Sequence, residues 1–245
     1  MRRQVPLLSV TPREQLRAGR LPRRIGQLMI GLALYGVSMA MMLRSTLGLD
    51  PWDVFHSGLI RLVPLSFGEV VIVVGAVVLV AWIPLRQWPG LGTLANVVVI
   101  GLATDGTLDL LAAPHAMPAR VALLLGGIVL NGIAGGLYIG SQLGPGPRDG
   151  LMTGIARRSG LSIRVVRTAI ELTVLVIGWP LGGVAGLGTV LYALLIGPLV
   201  QFFLPRLTVD LRDSTLVTRT AASEHRVRST VPHADASPAA ATAGA

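Results

Sequence analysis

The sequence predicts an all-α membrane protein: six transmembrane helices as two inverted three-helix repeats, each with a short interfacial or re-entrant helix. Three observations predict it. The 245 residues are 52% hydrophobic and only 13% charged, with a mean hydropathy of +0.67, whereas a soluble domain carries about a quarter charged residues. Six apolar segments approach the roughly 20 residues that a bilayer crossing needs. The second half of the chain also repeats the first at a constant offset of 96 residues.

Residues 1–24 form a basic segment ending in RLPRR. The apolar stretch after it is too long for a removed signal peptide and lacks a small-residue cleavage site, so it is read as the first span, residues 25–43. The stretch TLGLDPWDVFHSGL, residues 46–59, comes next. Asp50 reads as an N-cap, Pro51 as the first helical residue and Asp53 as an acid in the first turn, each suited to a helix start. The helix so begun, about residues 51–63, has Trp52, Phe55, Leu59 and Leu62 on one face and is too short to cross. Further spans are read at residues 67–85 and 91–111, completing a repeat over 25–111. Those at about 120–139, 165–179 and 187–204 complete a second over 120–205. Pro84, Pro89, Pro114, Pro118, Pro180 and Pro205 fall at segment ends, where proline costs a helix least. From residue 213 to 245 the chain is rich in Ala, Ser, Thr, Pro and Arg and is read as a disordered cytoplasmic tail.

Between residues 31–108 and 127–204, 25 of 78 positions are identical without a gap, against about a tenth by chance in such a composition. Gly36 falls on Gly132, Leu47-Gly48 on Leu143-Gly144, and Pro51 and Asp53 on Pro147 and Asp149. The GLGT at residues 90–93 recurs intact at 186–189. Three spans per repeat is an odd number, so the second copy enters from the opposite side and a two-fold pseudo-axis lies in the membrane plane. The charges agree. All 21 basic residues are Arg. With the N-terminus inside, 18 fall on the cytoplasmic side and only Arg44, Arg61 and Arg120 outside. Both termini are expected in the cytoplasm of a bacterium, the protein being multi-pass in its cytoplasmic membrane.

Several function classes are disfavoured. There is no Cys for disulfide or thiolate chemistry, and no Lys for a phosphate-binding P-loop. His56, His115, His225 and His233 are scattered without zinc-ligand spacing, and no hydrolase signature is present. No catalytic residue, metal or cofactor is expected, and the protein is read as not an enzyme. The net charge of +9 follows the membrane segments rather than forming a nucleic-acid patch.

The residues that could carry chemistry are Asp53 and Asp149 at the two short-helix starts, and Asn131 and Glu171 within spans. Helix initiation alone accounts for Asp53 and Asp149; substrate contact is the competing reading. Glu171 near the middle of the fifth span is a functional-site hypothesis unless it pairs with Arg167 one turn earlier. Asn131 serves either as packing between helices or as a substrate contact. Asp50, Trp52 and His56 stand opposite Gly146, Arg148 and Met152 in the copy, so shared helix initiation does not explain them.

The blocks LGLDPWDV, SFGEVVIVVG, WIPLRQWPGLGTLAN and GPGPRDGLMTG together resemble the YitT/YczE family of bacterial multi-spanning integral membrane proteins, over about residues 23–204. The resemblance implies a multi-spanning protein of the cytoplasmic membrane and carries no catalytic residues with it. The preferred function is a small-molecule or ion transporter; the alternative is a non-transporting scaffold or accessory protein that binds a protein partner. The expected partners are the lipid bilayer and a small molecule or ion, with a homo-oligomer compatible and nucleic acid excluded.

Overall fold

The computed structural model describes residues 12–211. Among these, all regular structure is helical: α1 (Pro12–Arg17), α2 (Leu21–Ser45), α3 (Pro51–Leu59), α4 (Phe67–Leu85), α5 (Leu91–Leu110), α6 (Met117–Gly140), α7 (Pro147–Ser159), α8 (Ile163–Gly178) and α9 (Leu187–Leu207). The expected tail at 213–245 and the first eleven residues of the basic segment lie outside the described residues.

Five helices, α2, α4, α5, α6 and α9, are long and apolar enough to cross a membrane. The fifth expected span differs. It forms α8, only 16 residues, or about 24 Å at 1.5 Å per residue, against roughly 30 Å of hydrocarbon. Ser162 caps its start, and Gly182, at φ 85°, takes the chain into the loop beyond its end. Helix α2 begins four residues earlier than expected, and α3 ends four residues earlier, at Leu59.

Helix α4 starts as its sequence dictates. Ser66 accepts a hydrogen bond from Glu69 N, and the Glu69 carboxylate accepts one from Ser66 N, a reciprocal cap. Asp105 of α5 reinforces it by accepting from Gly68 N at 2.7 Å and from the Ser66 hydroxyl.

Helices α2 and α6 form the centre and run antiparallel. Arg24, in the first turn of α2, donates to Ser141 O beyond the end of α6 at 2.8 Å; Arg120, in the first turn of α6, donates to Ser45 O at the end of α2 at 2.9 Å. Residues 24 and 45 are each 96 positions from 120 and 141, so the two bonds are the same bond with the halves exchanged. The GLGT segments repeat the exchange. Gly92 N donates to Leu143 O and Gly188 N to Leu47 O, both at 2.8 Å. These approaches exclude side chains: a Cβ on Gly188 would lie 2.5 Å from Gly48 O. Gly48 and Gly144 bend the chain at φ 125° and 122°, where only glycine is unstrained.

Helix α5 packs on α2 and α9 on α6, while α3 packs on α8 and α7 on α4. Each short helix thus rests mainly on the second long helix of the other half. One apolar core gathers Leu32, Met39, Ile100 and Tyr138; its counterpart gathers Met42, Leu124, Ile128 and Ile196.

Candidate functional site

The first turns of the short helices α3 and α7 meet through their side chains. Both begin with Pro at the first position after a residue at φ −62° and ψ 160°. In α3 that residue is Asp50, and its Oδ1 accepts from Trp52 N at 2.9 Å and Asp53 N at 3.1 Å. In α7 it is Gly146, which offers no side-chain cap. The second residue of α7, Arg148, reaches across: its guanidinium lies 4.9 Å from the Trp52 ring centroid, 3.7 Å from Asp50 Oδ1 and 3.5 Å from Asp53 Oδ1. Asp53 Oδ1 also meets His56 Nδ1 at 3.0 Å. Asp50, Asp53 and His56 are all buried, so their charge is balanced within the protein rather than by solvent.

Two adjoining cavities open beside this cluster. The smaller, about 80 Å³, is lined by Trp52, His56, Asn96, the first turn of α7 and valines of α4 and α5. The larger, about 290 Å³, is lined by Asn131, Tyr192, Arg167 and Gln201 among others. Tyr35, Tyr138 and Asp149 belong to both walls. Tyr138 donates its hydroxyl to Asp149 Oδ2 at 2.7 Å. Asn131 donates to Ser38 Oγ at 2.8 Å and accepts from the Tyr192 hydroxyl at 3.1 Å. Several buried polar atoms here have no hydrogen-bond partner among the described residues: Trp52 Nε1, His56 Nε2, Asp50 Oδ2 and Asp53 Oδ2.

The structure therefore brings together six of the seven residues singled out from sequence: Asp50, Trp52, Asp53, His56, Asn131 and Asp149. Glu171 stands apart. It faces Arg167 on its own helix at 2.8 Å, is 29% exposed at its side chain, and lines neither cavity. The i, i+4 spacing explains this: the two side chains lie on one face of α8 and pair locally, which is the alternative that the sequence leaves open for Glu171.

Sequence reasoning missed Arg148, assigned above to the positive-inside charge, and the tyrosines. The chain has three tyrosines, and all three line the cavities. Polar aromatic residues inside otherwise aliphatic spans were the signal that could have found them. Among the described residues, no group of three or more His, Asp or Glu side chains could hold a metal ion.

Comparison with known proteins agrees with this membrane architecture. Residues 22–205 match the family of unknown function DUF6198. An uncharacterized protein of Haemophilus influenzae is 42% identical over 182 residues, covering 74% of this chain and 84% of its own. The uncharacterized membrane protein YczE of Bacillus subtilis is 37% identical over 190 residues, 77% of this chain and 87% of its own. YyaS of the same organism is 26% identical over 180 residues, 72% of this chain and 90% of its own. No solved structure matches. Apolar helices long enough to cross a bilayer, and extensive identity to YczE, make this a membrane protein related to YczE, and the chain belongs to the DUF6198 family.

Proposed function

We propose that the protein is a carrier of a small molecule or ion, not an enzyme, in the bacterial cytoplasmic membrane. One observation carries the reading: polar cavities lie where the two halves meet, and their walls come from both. Carriers built from inverted repeats hold their substrates at such a place, beside helix N-termini that stop short of crossing the membrane.

The exchanged contacts support an inverted pair. The bond from Arg24 to Ser141 O recurs from Arg120 to Ser45 O, and that from Gly92 N to Leu143 O recurs from Gly188 N to Leu47 O. In this reading α8 completes a sixth crossing. Trp179 at its far end is 67% exposed and Trp88 after α4 is 81% exposed; they sit at opposite membrane faces, where tryptophan anchors a helix. The arginine distribution supports a cytoplasmic position for both termini.

The test is solute binding and flux with purified full-length protein. Thermal shift against a panel of metabolites and ions at two pH values should yield at least one stabilising solute, and the protein in liposomes should move that solute. Arg148→Gln should lose the shift. A protein that neither binds nor moves any solute in the panel would instead fit the scaffold reading.

A further inference from the structure

We propose that the smaller cavity binds the carboxylate of a short-chain organic acid at the N-terminus of α7, in the position that the Asp50 side chain holds at α3. This inference rests on the carrier reading and names its substrate class.

At α3, Asp50 supplies a carboxylate to the N–H groups of Trp52 and Asp53, and Arg148 approaches the same oxygen from the opposing helix. Shifted by 96 residues, the same arrangement at α7 would need a carboxylate beside Gly146, the N–H groups of Arg148 and Asp149, and a donor from position 52. The backbone of Gly146 matches that of Asp50, at φ −62° and ψ 160°, and Gly146 contributes no carboxylate of its own. The donor at position 52 exists. Trp52 is 6% exposed, lines the cavity with the first turn of α7, and its Nε1–H has no partner among the described residues. An indole N–H can only donate, so what completes it is an acceptor. A helix N-terminus with free N–H groups favours an anion.

Three polar groups surround the space beside Gly146. A Cβ placed there would lie 3.3 Å from Asp149 Oδ2, 3.4 Å from Asn96 Nδ2 and 3.5 Å from the Tyr138 hydroxyl. Asn96 adds a donor. Asp149 is an acid, but it already accepts from Tyr138, and the equivalent Asp53 stands beside Asp50 in α3. The charged residues on the cavity walls are Arg148, Arg167 and Asp149. Asp50 and Asp53 lie behind them, turned to Arg148, His56 and their own helix. The smaller cavity is itself lined by one cation and one anion, Arg148 and Asp149, so an anion is favoured there by the helix N-terminus and the donors Asn96 and Trp52 rather than by net charge.

The apolar lining selects the rest of the ligand. Val71, Val74, Val78, Val97 and Ile100 also line this cavity of about 80 Å³. A space of that size suits a carboxylate on a short aliphatic chain.

The test is equilibrium binding by the full chain in detergent, with sodium acetate, propionate and butyrate as probes and sodium chloride at matched ionic strength and pH. Butyrate or propionate should raise the melting temperature in a saturable way, and chloride should not. Gly146→Asp places a tethered carboxylate at the site, and its backbone conformation accepts a side chain. It should raise the melting temperature of the ligand-free protein and abolish the carboxylate response. Trp52→Phe keeps the ring and removes the N–H, and should weaken apparent affinity about tenfold. The inference is overturned by absence of any carboxylate shift in the unaltered protein, by an equal shift with chloride, or by a Gly146→Asp or Trp52→Phe protein that responds as the parent does. Flux in liposomes separates the two claims. Carboxylate binding without flux would remove the carrier reading and keep the site; flux of another solute without carboxylate binding would do the reverse.

Discussion

Asp53 and Glu171 look alike in the sequence, each an acid within apolar surroundings, and the fold treats them oppositely. Asp53 has no exposed surface and serves both His56 and Arg148. Its removal leaves the His56 imidazole N–H without its acceptor and Arg148 with Asp50 as its remaining carboxylate. Asp53→Ala should therefore cost about 2–4 kcal/mol, read as a lowered unfolding midpoint in detergent. Glu171 and Arg167 form a partly exposed pair within one helix, and such pairs contribute about 0.5 kcal/mol or less. Glu171→Gln should leave both the midpoint and any solute-dependent thermal shift near those of the parent. A lost shift would return Glu171 to the site. The difference shows which residues sequence alone could place. Asp50, Asp53 and Asp149 were legible because helix caps are local and Pro fixes their register. Asn131 was legible from its depth in a span. Arg148 was not, because its partners arrive from a segment 95 residues or more away in the chain, and only the packing of α7 against the other half brings them together.

The helices carry a second use of arginine that charge counting hides. Arg24 is fully buried and donates to Gln15 O, Ser141 O and Gln142 O. Arg120 donates to Ser45 O, Arg44 to Leu108 O and Arg158 to Pro84 O. Each of these side chains meets carbonyls at a helix C-terminal end, which lack partners within the helix and favour positive charge. Charge counting treats Arg44, Arg120 and Arg158 only as topology signals or exceptions to them, and hydropathy leaves Arg24 in the basic segment before the first span, whereas it lies in the first turn of α2. Arg24→Met should cost about 2–4 kcal/mol and Arg120→Met about 1–2 kcal/mol, following the number of charged hydrogen bonds lost, with unfolding midpoints as the measure. The glycines sort by the same logic of contact. Gly188→Ala would press a methyl group on Gly48 O and should cost about 1–3 kcal/mol. Gly106 lies in α5 with open space around it, so Gly106→Ala should gain about 0.5–1 kcal/mol from helix propensity. Equal effects at the two positions would remove close backbone approach as the reason for the GLGT motif.

At the scale of the whole molecule, the number of crossings turns on α8. Hydropathy and the repeat made six segments legible, while α8 is 16 residues long and carries Arg164, Arg167 and Glu171 in its first three turns, so length and apolarity by themselves support five crossings among the described residues. A short helix can still cross where arginine side chains extend to the headgroups and the bilayer thins. In the six-crossing arrangement α8 also occupies the place that α4 holds in the first half, with α3 packed on it as α7 packs on α4. The chain contains no cysteine, so single introduced thiols report position against a silent background. Ala113 lies between α5 and α6, Ser159 at the end of α7 and Pro180 beyond α8, all at exposed positions. With six crossings and cytoplasmic termini, Ala113→Cys and Pro180→Cys should react with a membrane-impermeant thiol reagent in intact cells. Ser159→Cys should react only after permeabilisation. A chain in which α8 stays on the cytoplasmic face would protect Pro180→Cys along with Ser159→Cys, and a reversed insertion would exchange the two patterns. The Pro180→Cys result decides the architecture, because the three crossings of the first half already send α6 in from the opposite side, and only a crossing by α8 gives the second half the same three-span order as the first, run in the opposite sense.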